Sequence, residues 1–141
     1  MRAFLDTSVL VATFYADHEH HEPSKDIFLR FDKTDVGCAV HSLAEVYSVL
    51  TGMPGTRRVS GDEALLFLSD IRERLTIVVL NSNEYFKAVE AAAARGIAGG
   101  GIYDAILAQC ALKAGAGSLY TWNSRHFTRL GPEIAERVKV P

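Results

Sequence analysis

Phe4-Leu5-Asp6-Thr7-Ser8-Val9-Leu10-Val11 decides how the chain is read. Two apolar residues meet Asp-Thr-Ser with no turn residue between, and a second apolar segment follows at once. This is the form of a short buried strand feeding a helix over Val9 to about Tyr15. The same alternation repeats outward. Helical spacing of Ile27, Phe28 and Phe31 predicts a helix over Ser24–Phe31, and Val36–Val40 reads as a strand. Leu43, Val46, Tyr47 and Leu50 mark a helix face that Gly52 and Pro54 terminate. Ser60-Gly61-Asp62-Glu63 has capping-box form ahead of a fourth helix. Leu75–Leu80 is rich in β-branched residues and reads as a strand. Ser82 is placed to cap a helix ending at Arg95–Gly96, and Ile102–Ala114 is a further helix closed by Gly115. Ser118–Thr121 and Arg137–Val140 are the last strand candidates. Short apolar strands alternating with helices predict an α/β fold, a three-layer α/β/α sandwich on a mainly parallel sheet. Ligands in such folds sit beyond the carboxyl ends of the strands.

At 141 residues the chain is expected to form a single domain spanning residues 1–141. Apolar residues at 48% and charged residues at 23% fit a globular core and exclude a disordered chain. Fifteen Lys and Arg against 17 Asp and Glu exclude a nucleic-acid binder that relies on bulk positive charge. They leave open a nucleic-acid enzyme whose carboxylates hold metal ions, because each divalent cation reverses the local field. Cys38 and Cys110 lie in apolar stretches and read as buried thiols rather than a disulfide framework. The N-terminus has no signal-peptide core, and no uncharged apolar run nears the roughly 20 residues of a membrane span. A cytoplasmic protein that does not enter the membrane is expected.

Some polar residues stand where local structure explains them poorly. Asp6 is the only charge between Ala3 and Tyr15 and follows the first strand; it is either a helix N-cap or a ligand, and one carboxylate can be both. Asp104 sits in Ile102-Tyr103-Asp104-Ala105-Ile106-Leu107-Ala108, a helix apolar nearly all round and therefore buried. A carboxylate there must be paired, metal-bound or protonated. Its place in the first turn also gains about 0.3–1 kcal/mol from the helix dipole. Glu45 lies off the apolar face of its helix, and as the last residue of Ser42-Leu43-Ala44-Glu45 a capping box alone would account for it. Asn123 follows the Leu119-Tyr120-Thr121 strand as a turn residue or a site residue. Three acids and a carboxamide form an oxygen-ligand set suited to Mg²⁺ or Mn²⁺ rather than zinc. His18-Glu19-His20-His21-Glu22 reads as a solvated loop between helices.

Taken in order, Asp6-Thr7-Ser8-Val9-Leu10-Val11, Ser42-Leu43-Ala44-Glu45-Val46, Tyr103-Asp104-Ala105-Ile106-Leu107-Ala108 and Thr121-Trp122-Asn123-Ser124-Arg125-His126-Phe127 resemble the motifs of PIN-domain ribonucleases. Within them, the resemblance is to the toxins of VapBC-type toxin–antitoxin pairs, and it covers nearly the whole chain. It implies metal-dependent endonucleolytic cleavage of RNA with 5′-phosphate and 3′-hydroxyl products. By that resemblance Asp6, Glu45 and Asp104 hold Mg²⁺ or Mn²⁺, directly or through water, and a second ion would lie about 4 Å from the first. Asn123 stands where the family often has aspartate, which removes one charge; it is assigned to positioning water or phosphate, with Thr121 as a hydroxyl helper. Arg57, Arg58, Arg125, His126 and Arg129 are the phosphate contacts the sequence offers to RNA. The resemblance further implies a homodimer and a small VapB-like antitoxin; in this sequence the docking surface expected for it is the first two helices with the Glu45 helix, through Phe14, Tyr15, Phe28, Phe31 and Tyr47.

Two alternatives follow from the same residues. A PIN-like domain that has lost catalysis would serve as a binding module, and Asn123 is the residue that suggests it. A magnesium-binding receiver domain would need paired acids after the first strand and a lysine after a late one. Here Asp6 stands alone and no lysine follows Thr121.

Overall fold

The computed structural model describes residues 1–141. Strand β1 (Ala3–Leu5) runs into α1 (Thr7–Phe14) and α2 (His21–Arg30); β2 (Val36–Ala39) runs directly into α3 (Val40–Thr51). After a 3₁₀ turn at Gly55–Arg57 come α4 (Gly61–Arg74), β3 (Thr76–Val78), α5 (Ser82–Ala94) and α6 (Gly101–Lys113). The chain ends with β4 (Ser118–Tyr120), the short helices α7 (Ser124–Thr128) and α8 (Pro132–Ala135), and β5 (Val138–Lys139).

The five strands form one sheet in the order β3-β2-β1-β4-β5, every pair parallel. Alternation along the strands divides their side chains between two cores. Ala3, Leu5, Val36 and Cys38 face a cluster with Val9, Leu10, Ile27, Phe28, Val46, Leu50 and Ile71 from the first four helices. Phe4, Ala39, Val78 and Leu119 face the other side, where Leu107, Ala108, Ala111, Phe127 and Ile134 lie. The result is the expected three-layer α/β/α sandwich. Helices here cover both faces, so the strands are apolar throughout instead of alternating with polar residues. No helix is long and apolar enough to cross a membrane.

The strand order places the site. From β1 the chain builds outward to β2 and β3, then returns to add β4 on the other side of β1. The order therefore reverses between β1 and β4, and a crevice opens beyond their carboxyl ends at such a switch point. Asp6 follows β1 and Thr121 follows β4, with Leu5 and Tyr120 in register.

Several local expectations are corrected. Helix α3 starts at Val40 with Ala39 at its N-cap, so Ser42 and Glu45 are inside the helix and form no capping box. Asn81, not Ser82, caps α5: its side chain accepts from Glu84 N–H, and Glu84 accepts from the Asn81 N–H. Ser60 caps α4 as expected, accepting from Glu63 N–H. Among the aromatics expected at a docking surface, Phe28 is core at 3% exposure. Phe14 stacks on Phe67 at 5.0 Å, Tyr15 packs on the same core, and Phe31 lies there under the Arg2 guanidinium at 5.2 Å. Only Tyr47 is substantially exposed.

Gly37 in β2 is needed for close approach. A Cβ there would lie 2.8 Å from the Thr76 carbonyl oxygen of β3 and 2.9 Å from the Met1 thioether. Met1 can move but the β3 backbone cannot without parting the sheet. Gly37→Ala is expected to cost about 1–3 kcal/mol, read as a lowered urea midpoint at unchanged slope. An unchanged midpoint would contradict this account of the β2–β3 contact.

Candidate active site

Asp6 starts α1 with its backbone, not its side chain. Its carbonyl accepts from Val9 and Leu10 N–H, while its carboxylate makes no capping bond. That leaves the carboxylate for the crevice. Oδ2 accepts from Ser8 Oγ (2.7 Å) and from Thr121 Oγ1 (2.8 Å). Thr121 Oγ1 in turn accepts from the Asn123 N–H at 2.9 Å, and Ser8 Oγ accepts from the Trp122 N–H at 3.0 Å. These bonds tie the end of β1 to the end of β4 and orient Asp6, which is only 3% exposed.

Glu45 reaches the crevice from α3. One turn of helix puts Ser42 and Glu45 on the face toward α1. There the Thr7 hydroxyl donates to Glu45 Oε1 (2.9 Å) and lies 3.0 Å from the Ser42 Oγ. His41, also one turn away, brings Nε2 to 3.8 Å from Oε1. Burial raises the Glu45 carboxyl above its ordinary value; the Thr7 bond and His41 oppose this, and the charges of Asp6 and Asp104 add to it.

Asp104 enters from the first turn of α6, whose Ala105–Ala108 are buried. Its partner is a histidine: His126 Nδ1 on α7 approaches Oδ2 at 3.3 Å. Burial and then the Asp6 charge push the Asp104 carboxyl up, against the opposing charges of His126 and Arg129. Two carboxyls raised by burial and by each other's neighbours mark a site with surplus negative charge.

Asp6, Glu45, Asp104 and Asn123 line one cleft of about 460 Å³ with Thr7, Ser8, Val11, His18, Glu19, His20, Val49 and Trp122. No lysine or arginine lines it. The expected quartet is thus brought together, although no three His, Cys, Asp or Glu side chains are close enough to share one ion directly. The donor set still fits a hard cation, since Mg²⁺ typically takes one or two carboxylates and keeps several waters. Fully buried Thr121 stands behind Asp6 and off the cleft wall, which makes it a positioning residue. Both cysteines are buried, and burial pushes Cys38 up to about 12 and Cys110 to about 11, so neither supplies a thiolate at neutral pH.

The expected RNA contacts divide. His126 is engaged with Asp104, and Arg129, whose guanidinium lies against Gly101 at the start of α6, is close enough to act on that carboxyl. Arg125 is exposed on α7. Arg57 and Arg58 lie in and just after the 3₁₀ turn that follows α3, and do not line the cleft. The reading of His18-Glu19-His20-His21-Glu22 as a solvated loop is corrected: His18, Glu19 and His20 form one wall of the cleft. Ser8 and Thr7, adjacent to Asp6 in sequence, were the missed partners; a hydroxyl two residues after a strand-end carboxylate was the signal.

Residues 3–131 match the PIN domain family. Ribonuclease VapC40 of Mycobacterium tuberculosis (strain ATCC 25618 / H37Rv) is 34% identical over 111 residues, which are 79% of this chain and 79% of that one. Among solved structures, the chain resembles VapC20 of Mycobacterium tuberculosis, described as a Sarcin-Ricin loop cleaving toxin (TM-score 0.72, 18% identity, 88% of this chain and 92% of that one). It also resembles VapBC2 of Rickettsia felis, bound to a DNA fragment from its promoter (TM-score 0.66, 16% identity, 99% and 98%). With its motifs gathered in one cleft at the sheet's switch point, the chain belongs to the PIN domain family, and within it to the VapC-like ribonuclease toxins.

Proposed function

We propose that the chain hydrolyses RNA phosphodiester bonds with Mg²⁺ or Mn²⁺ held, directly or through water, at Asp6, Glu45 and Asp104. The observation that carries this reading is the collection of three carboxylates, from the N-cap of α1 and from α3 and α6, in a cleft with no lysine or arginine on its wall. When bound, the ion lowers the pKa of water and offsets charge at the phosphorus in the transition state. The protein's own residues do the rest. Ser8 and Thr121 fix the Asp6 carboxylate, and Thr7 fixes Glu45. Asn123, on the cleft wall at the start of α7, positions water or phosphate. His126 and Arg129, on and just after α7, lie on the Asp104 side, where an RNA backbone would leave the cleft; exposed Arg125 on α7, and Arg57 and Arg58, would meet it farther out.

A cognate VapB-like antitoxin and a homodimer complete the proposal, in the cytoplasm. Helix α3 carries both Glu45 and the exposed Tyr47 and Val49, and Val49 is itself on the cleft wall. An antitoxin docked on α3 therefore reaches the acids. One observation favours a catalytically impaired binding module instead: the fourth polar residue on the cleft wall is Asn123, uncharged where the family often has aspartate. The test is cleavage of RNA by the purified chain. Cutting should need Mg²⁺ or Mn²⁺, stop in EDTA, and fall roughly 10²-fold or more in Glu45→Gln. Cutting that persists in EDTA, or none with either metal, would favour another reading.

A further inference from the structure

The cleft wall facing the acids is aromatic. His20 lies flat on Trp122, ring centroids 3.7 Å apart and planes 7° from parallel. Trp122 is locked in place: its Nε1–H donates to the Oγ of fully buried Ser24 (2.8 Å), and its backbone N–H donates to Ser8 Oγ, which itself donates to Asp6. The position of the pair is thus tied through one hydroxyl to a carboxylate proposed to hold the metal. The His20 side chain is 35% exposed: the indole covers one face, the His18 ring lies tilted by 42° at 5.7 Å, and the Glu19 carboxylate is 3.3 Å from Nε2. The other stacked pair, His41 on Tyr103, does not line the cleft.

An RNA strand entering here meets carboxylates and no lysine or arginine on the wall. Within the cleft, apart from the ion, affinity must come from something other than phosphate charge; the arginines on and after α7 lie off its wall. A nucleobase has a flat π-face and no net charge, and aromatic side chains bind such faces with little regard to sequence. Bases within a duplex are stacked on each other and cannot use this surface.

We propose that His20, backed by Trp122, is a stacking platform for an unpaired nucleobase beside the scissile phosphodiester. This rests on the nuclease reading of the cleft.

Trp122 is the only tryptophan in the chain, so its fluorescence reports from the cleft itself. The probe is a short single-stranded phosphorothioate RNA, resistant to hydrolysis, titrated into the full-length protein with Mg²⁺. It should change Trp122 emission saturably, and an abasic strand of equal length and charge should not. His20→Ala should bind roughly 5- to 150-fold more weakly, and His20→Phe, which keeps a flat ring, should recover most of the loss. The platform is overturned if the abasic or fully duplexed strand binds and perturbs Trp122 as the single strand does. It is equally overturned if His20→Ala binds as tightly as the wild type. The abasic comparison uses wild-type protein and holds even if His20→Ala fails to fold. Cleavage of unmodified RNA is scored separately. Base-dependent binding without cutting refutes the nuclease and supports the platform; cutting with binding indifferent to His20 refutes the platform alone.

Discussion

Asp104→Asn should lose RNA cleavage by roughly 10²- to 10⁴-fold and yet melt no lower than the wild type in metal-free buffer at pH 7. The two halves have one cause. Burial and the Asp6 charge raise the Asp104 carboxyl above its ordinary value. A carboxyl raised on folding stabilises the fold below its unfolded pKa, and that contribution is lost as pH rises through the folded pKa. At pH 7 the ionised group therefore works against folding. Asparagine keeps the shape and removes the charge, relieving this repulsion at the expense of a metal ligand. His126 loses its partner, but at 56% exposure it is already hydrated and the loss is small. Activity and stability can be measured on the same sample. Full activity would remove Asp104 from the site, and a large fall in melting temperature would show that the carboxylate is structural.

Mg²⁺ or Mn²⁺ should stabilise the wild type at pH 7 by about 2.7 kcal/mol when present at 100 times its dissociation constant. The increment should shrink as pH falls from neutrality through the raised carboxyl values of Asp104 and Glu45, because protons then compete with the ion. Over that window the metal-free protein gains stability from these two groups, since each folded pKa is raised. The two melting curves should therefore converge on acidification. In Asp104→Asn the metal increment should be smaller at every pH. A metal increment that persists unchanged into the ordinary carboxylate range would place the ion elsewhere.

The layers, the strand–helix alternation and the acidic positions were legible because they are local. Phe4-Leu5-Asp6 shows a strand end, and Asp104 stands out as a charge in an apolar helix. Glu45 was nearly hidden: Ser42-Leu43-Ala44-Glu45 has capping-box spacing, and only the direct run of β2 into α3 at Ala39–Val40 puts both residues inside the helix. Asn81-Ser82-Asn83-Glu84 holds a capping box at the right offset, but the neighbouring Ser82 is an equally good cap by type. Helices α7 and α8, at 5 and 4 residues, are too short to show a period; Phe127 and Ile134 anchor them by burial in the second core. The His18–His20 wall was illegible for a different reason. Its place depends on Trp122, about a hundred residues later, and no spacing rule joins them.

The most direct measurement is the chemistry of the new RNA ends. Total cellular RNA is incubated with purified protein and Mg²⁺ or Mn²⁺, with Asp104→Asn in parallel, and the 5′ ends are captured by ligation that requires a 5′-phosphate. Attack by water rather than by the ribose 2′-hydroxyl predicts discrete ligatable ends with 3′-hydroxyl counterparts, absent without metal and absent in Asp104→Asn. Ends bearing a 5′-hydroxyl and a cyclic phosphate, or no new ends from folded, antitoxin-free protein, would contradict metal-assisted hydrolysis at this cleft.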